Sequence, residues 1–236
     1  MKIRLAELNV EIFNRYSYLE YLCRDYMADF DAADMTVTVA DSEISEELRQ
    51  APPAYGITAE VAEATCAYRK IALQLPLFDA FVFHASVVAC EDVAYAFAAA
   101  SGVGKSTHTA LWLKQFKDRA RILNGDKPIL RFINGKLIAF GTPWQGKENR
   151  GENSSAPLAA ICFLERNHQN KLQILNGRAV VERLAGQILM PTEPATAVRF
   201  LELLDRVLAT TPTYLLYCNT DPEAAEVAYR GMEKEN

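Results

Sequence analysis

The stretch Phe97–Thr107 reads FAAASGVGKST. Its end, GVGKST, completes a G-x-x-x-x-G-K-[ST] phosphate loop in which Ala99 occupies the first glycine position. An apolar run over residues 93–100 precedes it and a helical pattern from Lys105 to about Phe116 follows, the strand–loop–helix setting such a loop requires. In that setting successive backbone N–H groups surround an anion, and the helix N-terminus adds partial positive charge. Gly102 and Gly104 supply the backbone freedom. The stretch Ser101, Gly102, Val103, Gly104, Lys105, Ser106 and Thr107 is therefore the expected nucleotide-phosphate cradle. Lys105 would reach the β- and γ-phosphates, Ser106 would ligate Mg²⁺, and Thr107 would touch a nearer phosphate. The implied ligands are ATP, or another nucleoside phosphate, and Mg²⁺. An alanine at position 99 would cost about 1 kcal/mol if its φ were positive, so either the loop begins differently here or its affinity is reduced.

Composition narrows the partners. The chain has 236 residues, half of them hydrophobic, and its net charge of −5 is spread without a basic stripe, which argues against nucleic acid and anionic membranes. The opening MKIRLAELNVEIF lacks the apolar core of a signal peptide, and no transmembrane run occurs. Five scattered cysteines without a C-x-x-C pair read as buried thiols of a reducing cytoplasm, and no His/Cys cluster suggests zinc.

Residues 3–13 alternate like a strand, 15–28 look helical, and MTVTVA from Met35 alternates again, giving a small α+β N-terminal region over residues 1–55. The breaker-rich APPAYG (51–56) then links to a main domain expected over 56–236, its first helix starting at Thr58. There the runs 80–89 and 93–100 read as hairpin-related strands. Further strands are expected at 121–124, 128–132, 136–140, 158–166 and 171–176, with Asn134-Gly135 a hairpin turn. Helices are expected at 180–189 and 196–208. The strand TYLLYC and a last helix, N-capped by Asp221 with Pro222 at its first position, complete the pattern. The order mixes hairpins with strand–loop–helix units, so the expected fold is α/β around a mixed sheet.

The succession FHASVVACEDVAYAFAAASGVGKSTHTALW, NGDKPIL, GTPWQGKEN, APLAAICFLER and CNTDPEAAEVAY resembles the HPr kinase-related and phosphoenolpyruvate carboxykinase-like P-loop group over roughly residues 80–232. That group's loop carries a serine where Ser101 stands. The resemblance implies a mixed-sheet P-loop domain and, in the kinase members, phosphoryl transfer to a serine hydroxyl of a protein or peptide; carboxykinase members act on oxaloacetate through residues not found here. It also implies a strand ending in two aspartates, of which Asp126 matches the second and Gly125 replaces the first. Asp126 is thus a candidate to hold Mg²⁺ with Ser106, or to act as base.

His84 matches a histidine on the strand before the loop and is the candidate base in place of the missing aspartate. In GTPWQGKENRGEN, Lys147 is the candidate for transition-state charge. His108 and His168 read as ordinary. The implied protein is a cytoplasmic phosphotransferase acting on a hydroxyl of a protein, peptide or small metabolite; related kinases commonly oligomerise. The competing readings are a nucleotide-binding module without catalysis and a carboxykinase-like lyase.

Overall fold

A computed structural model describes residues 1–100 and 102–233. The chain divides into two compact units, Met1–Leu75 and Pro76–Asn236.

In the first unit, β1 (Lys2–Leu5) and β2 (Leu8–Phe13) form an antiparallel hairpin, and β3 (Met35–Thr38) pairs parallel to β2. The expected single strand over 3–13 is thus a hairpin, turned at Ala6 and Glu7 with φ of 48° and 63°. The helical expectation over 15–28 shortens to α1 (Ser17–Leu22) and a 3₁₀ turn, while α2 (Asp41–Gln50) follows β3.

Helix α3 (Ala59–Gln74), capped as expected by the Thr58 hydroxyl, belongs to this unit, so the division falls after it and not at the APPAYG linker. Long-range polar contacts explain why. The buried Glu63 carboxylate accepts the Arg15 and Tyr16 N–H groups (2.6 and 3.0 Å), and Lys70 bonds Glu43 at 2.7 Å and the Thr38 carbonyl at 2.6 Å. A buried carboxylate persists only where such donors meet it.

The second unit is mixed α/β. Strands β5 (Ser86–Cys90), β6 (Val93–Ala98), β7 (Ala120–Asn124), β10 (Ser155–Arg166), β11 (Lys171–Ile174) and β12 (Thr213–Cys218) lie in the order β7-β5-β6-β10-β12-β11. β6, β10 and β12 run parallel; β5 is antiparallel to both β6 and β7, and β11 to β12. The first residues of the twelve-residue β10 instead pair with β9 (Lys136–Phe140), which continues through β8 (Ile129–Ile133) to β4 (Ala80–Val82). One long strand thereby joins two sheet segments.

Both faces of the sheet are covered, so its strands read as apolar runs. Val88, Tyr95, Phe97, Cys162 and Tyr214 face α4 (Lys105–Phe116) and α7 (Glu223–Glu233), with Trp112 fully buried between them. The alternate residues Val87, Ala94, Ala96, Ile161 and Leu215 face α5 (Arg178–Ala185) and α6 (Pro194–Thr210). Small alanines on one face of β6 and large aromatics on the other set the two layer spacings.

Helix α7 begins one residue later than expected. Asp221 accepts from the Asn219 side chain at 2.8 Å instead of capping the helix with its carboxylate. All five cysteines are buried with free thiols, and among the described residues no helix is long and apolar enough to cross a membrane.

Candidate functional site

The strand directions bring the C-terminal ends of β6, β7, β10 and β12 and the N-terminal end of β5 to one edge of the sheet. In open α/β sheets this is where ligands bind. The loop 99–104 leaves β6 at this edge and enters α4 at Lys105. Gly102 and Gly104 take φ of 78° and 122°, conformations that favour glycine. Ala99 does not: it is buried, it is not among the positive-φ residues, and its carbonyl accepts from Lys105 Nζ at 3.1 Å. The strain anticipated at Ala99 is absent. Ser101 lies outside the described residues.

His84 and Asp126 meet this loop. The apolar run 80–89 is two strands interrupted at His84, because the Ala85 N–H bonds the Phe83 carbonyl at 2.9 Å and the Asp126 carbonyl at 3.1 Å while the His84 N–H bonds the Gln187 carbonyl at 2.8 Å. His84 is therefore lifted out of the sheet core. Its Nε2 lies 3.2 Å from Lys105 Nζ and 3.2 Å from Asp126 Oδ1.

One ring nitrogen cannot accept from the ammonium and donate to the carboxylate at once. The two contacts are alternatives set by the imidazole's protonation. Burial alone would raise the Asp126 carboxyl, but the His84 hydrogen bond and the charges of Lys127, His84 and Lys105 hold it below its ordinary value. Burial pushes Lys105 and Lys127 down, opposed in each by the Asp126 charge.

Asp126 is placed by the residue two before it. The fully buried Asn124 amide donates to the carbonyl and hydroxyl of Thr142 (3.1 and 3.0 Å), and its Oδ1 accepts the N–H groups of Asp126 and Lys127 (2.8 and 2.7 Å). This Asx turn aims the carboxylate at His84. A β-carbon on Gly125 would stand 2.8 Å from the Gln145 carbonyl and 3.1 Å from that of Arg150, and one on Gly146 would stand 2.9 Å from Asp126 Cβ. The segment 141–151 is thus seated against the Asp126 turn and leaves no room for a side chain at position 125. Lys147 is exposed on it, and among the described residues no hydrogen bond or ion pair joins its side chain to His84, Lys105 or Asp126.

Two clefts flank the loop. One, of about 460 Å³, is lined by Val103, Thr107, His108, Arg166, His168 and Asn219 among others. The other, of about 590 Å³, is lined by Ala99, Ala100, Gly102, Glu165, Arg183 and Gln187 among others. His108 is almost wholly buried; its Nε2 accepts from Trp112 Nε1 at 3.1 Å, which leaves the proton on Nδ1, and Nδ1 has no hydrogen-bond partner among the described residues. Burial pushes its pKa down to about 3. Arg166, at the end of β10, donates to the loop carbonyls of Val103 (3.0 Å) and Gly102. Neither residue stood out in the sequence, since a histidine inside a helix and an arginine ending a strand carry no local motif.

No protein-family model and no curated protein matches the chain. Among solved structures it is similar to the Hpr(Ser) kinase/phosphatase from Coxiella burnetii, with 12% identity and a TM-score of 0.39 over 65% of this chain and 97% of that one.

Proposed function

We propose that the Pro76–Asn236 unit binds a nucleoside triphosphate, ATP in the first instance, and transfers its terminal phosphoryl group to a hydroxyl of a protein, peptide or small metabolite. The observation that carries this reading is the single chain of contacts from the loop lysine through His84 to Asp126. Lys105, held on the Ala99 carbonyl and beside His84, would turn to the β- and γ-phosphates when the nucleotide enters. That movement frees His84 Nε2. The acceptor hydroxyl would then give its proton to this nitrogen as its oxygen bonds the γ-phosphorus, while the bond to the bridging oxygen breaks and the nucleoside diphosphate leaves with the electron pair. Asp126, beside Nε2, would stabilise the imidazolium.

Mg²⁺, when bound, supplies charge neutralisation across the phosphates. Ser106 Oγ and Asp126 are the donors suited to it, hard oxygens of the kind this ion takes alongside water and phosphate. Among the described residues no group of three or more His, Cys, Asp or Glu side chains forms a metal cluster. Thr107, beyond Lys105 and Ser106, lines the 460 Å³ cleft, which would then take the nucleoside. The 590 Å³ cleft borders Ala99, whose carbonyl holds the Lys105 ammonium, and suits the acceptor.

The test is transfer from γ-labelled ATP with Mg²⁺ to a panel of hydroxyl acceptors, comparing the wild type with Lys105→Ala. Lys105-dependent labelling of an acceptor supports the reading. Tight ATP binding with no turnover on any acceptor would replace it by a nucleotide-binding module, and oxaloacetate-dependent release of CO₂ by a carboxykinase-like lyase.

A further inference from the structure

We propose that Arg166, which also borders the 460 Å³ cleft, is a positioning residue of the phosphate loop, holding by their carbonyls the peptide planes whose N–H groups would face a bound phosphate. The inference rests on the nucleotide reading above. In a trans peptide the C=O and N–H point in opposite directions, so whatever fixes the carbonyl aims the amide. Arg166 Nε donates to the Val103 carbonyl at 3.0 Å, and that peptide's N–H belongs to Gly104. The Gly104 amide, immediately before Lys105 at the start of α4, is therefore turned away from Arg166, and amides at a helix N-terminus are the donors that take an anion.

A second guanidinium bond goes to the Gly102 carbonyl, whose peptide N–H belongs to Val103. That amide donates to the Ala100 carbonyl at 3.2 Å, closing the turn within the loop. One bond thus shapes the turn and the other aims a phosphate donor. A planar guanidinium makes both from separate nitrogens in one fixed geometry, whereas a lysine would have to reach both carbonyls from a single freely rotating ammonium. The stem of Arg166 is anchored because Arg166 is the last residue of β10 in register with β12, opposite Cys218. Gly102 and Gly104, at positive φ, have the conformational freedom that makes such an external hold necessary.

The experiment is calorimetric titration of the full chain with MgATP, MgADP and pyrophosphate, for the wild type, Arg166→Met and Arg166→Lys, with melting of each protein free of ligand. Positioning through the loop predicts that Arg166→Met weakens all three ligands by a common factor of about tenfold or more. Arg166→Lys should recover only part of that loss, and the ligand-free melting temperatures should stay close to the wild type. Unchanged affinities in Arg166→Met would overturn the proposal. So would a loss confined to ATP, which would mean direct contact with the γ-phosphate, or full recovery in Arg166→Lys, which would mean that charge alone matters. Should Arg166→Met fail to fold, Arg166→Lys decides by the same criteria. Absence of binding by the wild type to any of the three ligands would instead overturn the nucleotide reading itself, and this proposal with it.

Discussion

Two glycine-bearing loops meet at the same edge of the sheet, and their glycines answer different demands. In the loop after β6, Gly102 takes positive φ with nothing within 4 Å of where a β-carbon would stand. The demand there is on backbone direction. In the turn after β7, Gly125 has no positive φ, yet its missing β-carbon would strike two backbone carbonyls. The demand there is on space. The first loop leaves open space at Gly102, where the proposed reading puts a ligand; the second is shaped by the 141–151 segment lying on it. Changes in the first should therefore register in ligand binding, and changes in the second in stability.

The largest effect expected on this division is that of Lys105→Ala. Its ammonium bonds the Ala99 carbonyl and approaches His84, and on the proposed reading it turns to the bound phosphate. Its removal should weaken MgATP by about a hundredfold or more, near 3 kcal/mol, with little change in melting temperature. Parallel titration and melting decide it; a large drop in stability with unchanged affinity would erase the contrast between the two loops.

Gly125→Asp comes next, and it reverses an inference that the sequence invites. Supplying a second aspartate beside Asp126 looks like a repair. The carbonyls of Gln145 and Arg150 make it an overpacking change, expected to cost about 2–3 kcal/mol and to displace the 141–151 segment from Asp126. The melting temperature should fall by several degrees, without gain in phosphoryl transfer. A stable Gly125→Asp protein with raised activity would show that the turn is a weakened catalytic site and not a packing solution.

The third effect probes the floor of the phosphate loop. His108 sits one turn into α4, buried and neutral, with a pKa near 3 against an ordinary 6.5. Because the folded-state value is depressed, the unfolded chain takes up the proton first as pH falls, so stability is lost from about pH 6.5 downward and is fully present above it. Between pH 7.5 and 5.5 this residue should contribute a loss of about 1.4 kcal/mol, which Arg, Lys and carboxylate groups do not mimic in that window. Urea unfolding at the two pH values should show the loss in the wild type and a smaller one in His108→Gln. Equal losses in both proteins would show that the helix beneath the loop admits water or charge.

What the sequence disclosed follows the same physical line. Strand β6, the loop and α4 were legible because an apolar run, glycines and Lys-Ser mark them locally, and Asn134-Gly135 makes its turn with φ of 49° and 80° as such a pair should. The hairpin at Ala6-Glu7 was not, since neither residue is a customary positive-φ residue. Nor was the break at His84, which is imposed by carbonyls of Asp126 and Gln187 far along the chain. Asp126 and His84 were identifiable as residue types in a recognisable order, but their shared contact depends on Asn124, Thr142 and the 141–151 segment. Gly125 was read as an absence because steric pressure from a distant loop leaves no mark in the local sequence. The membership of α3 was hidden for a like reason: Glu63 and Lys70 look like surface charges until the partners that bury or bind them are known.

The smallest expected effect lies at Ala99, and it is the most discriminating. If the alanine were a strained substitute for a required glycine, Ala99→Gly would relieve about 1 kcal/mol and tighten nucleotide binding. Its backbone is not at positive φ, its methyl packs in the core that contains Phe97 and Trp112, and its carbonyl anchors Lys105. Ala99→Gly should then slightly destabilise the protein, by about 0.5–1 kcal/mol from lost packing and added freedom of the unfolded chain, and leave MgATP affinity within about twofold. The carbonyl that holds Lys105 is retained in glycine, so binding has no reason to change. A tenfold gain in affinity would instead place Ala99 among the loop's conformational glycine positions. It would also mean that the phosphate loop begins one turn earlier than its two positive-φ glycines indicate.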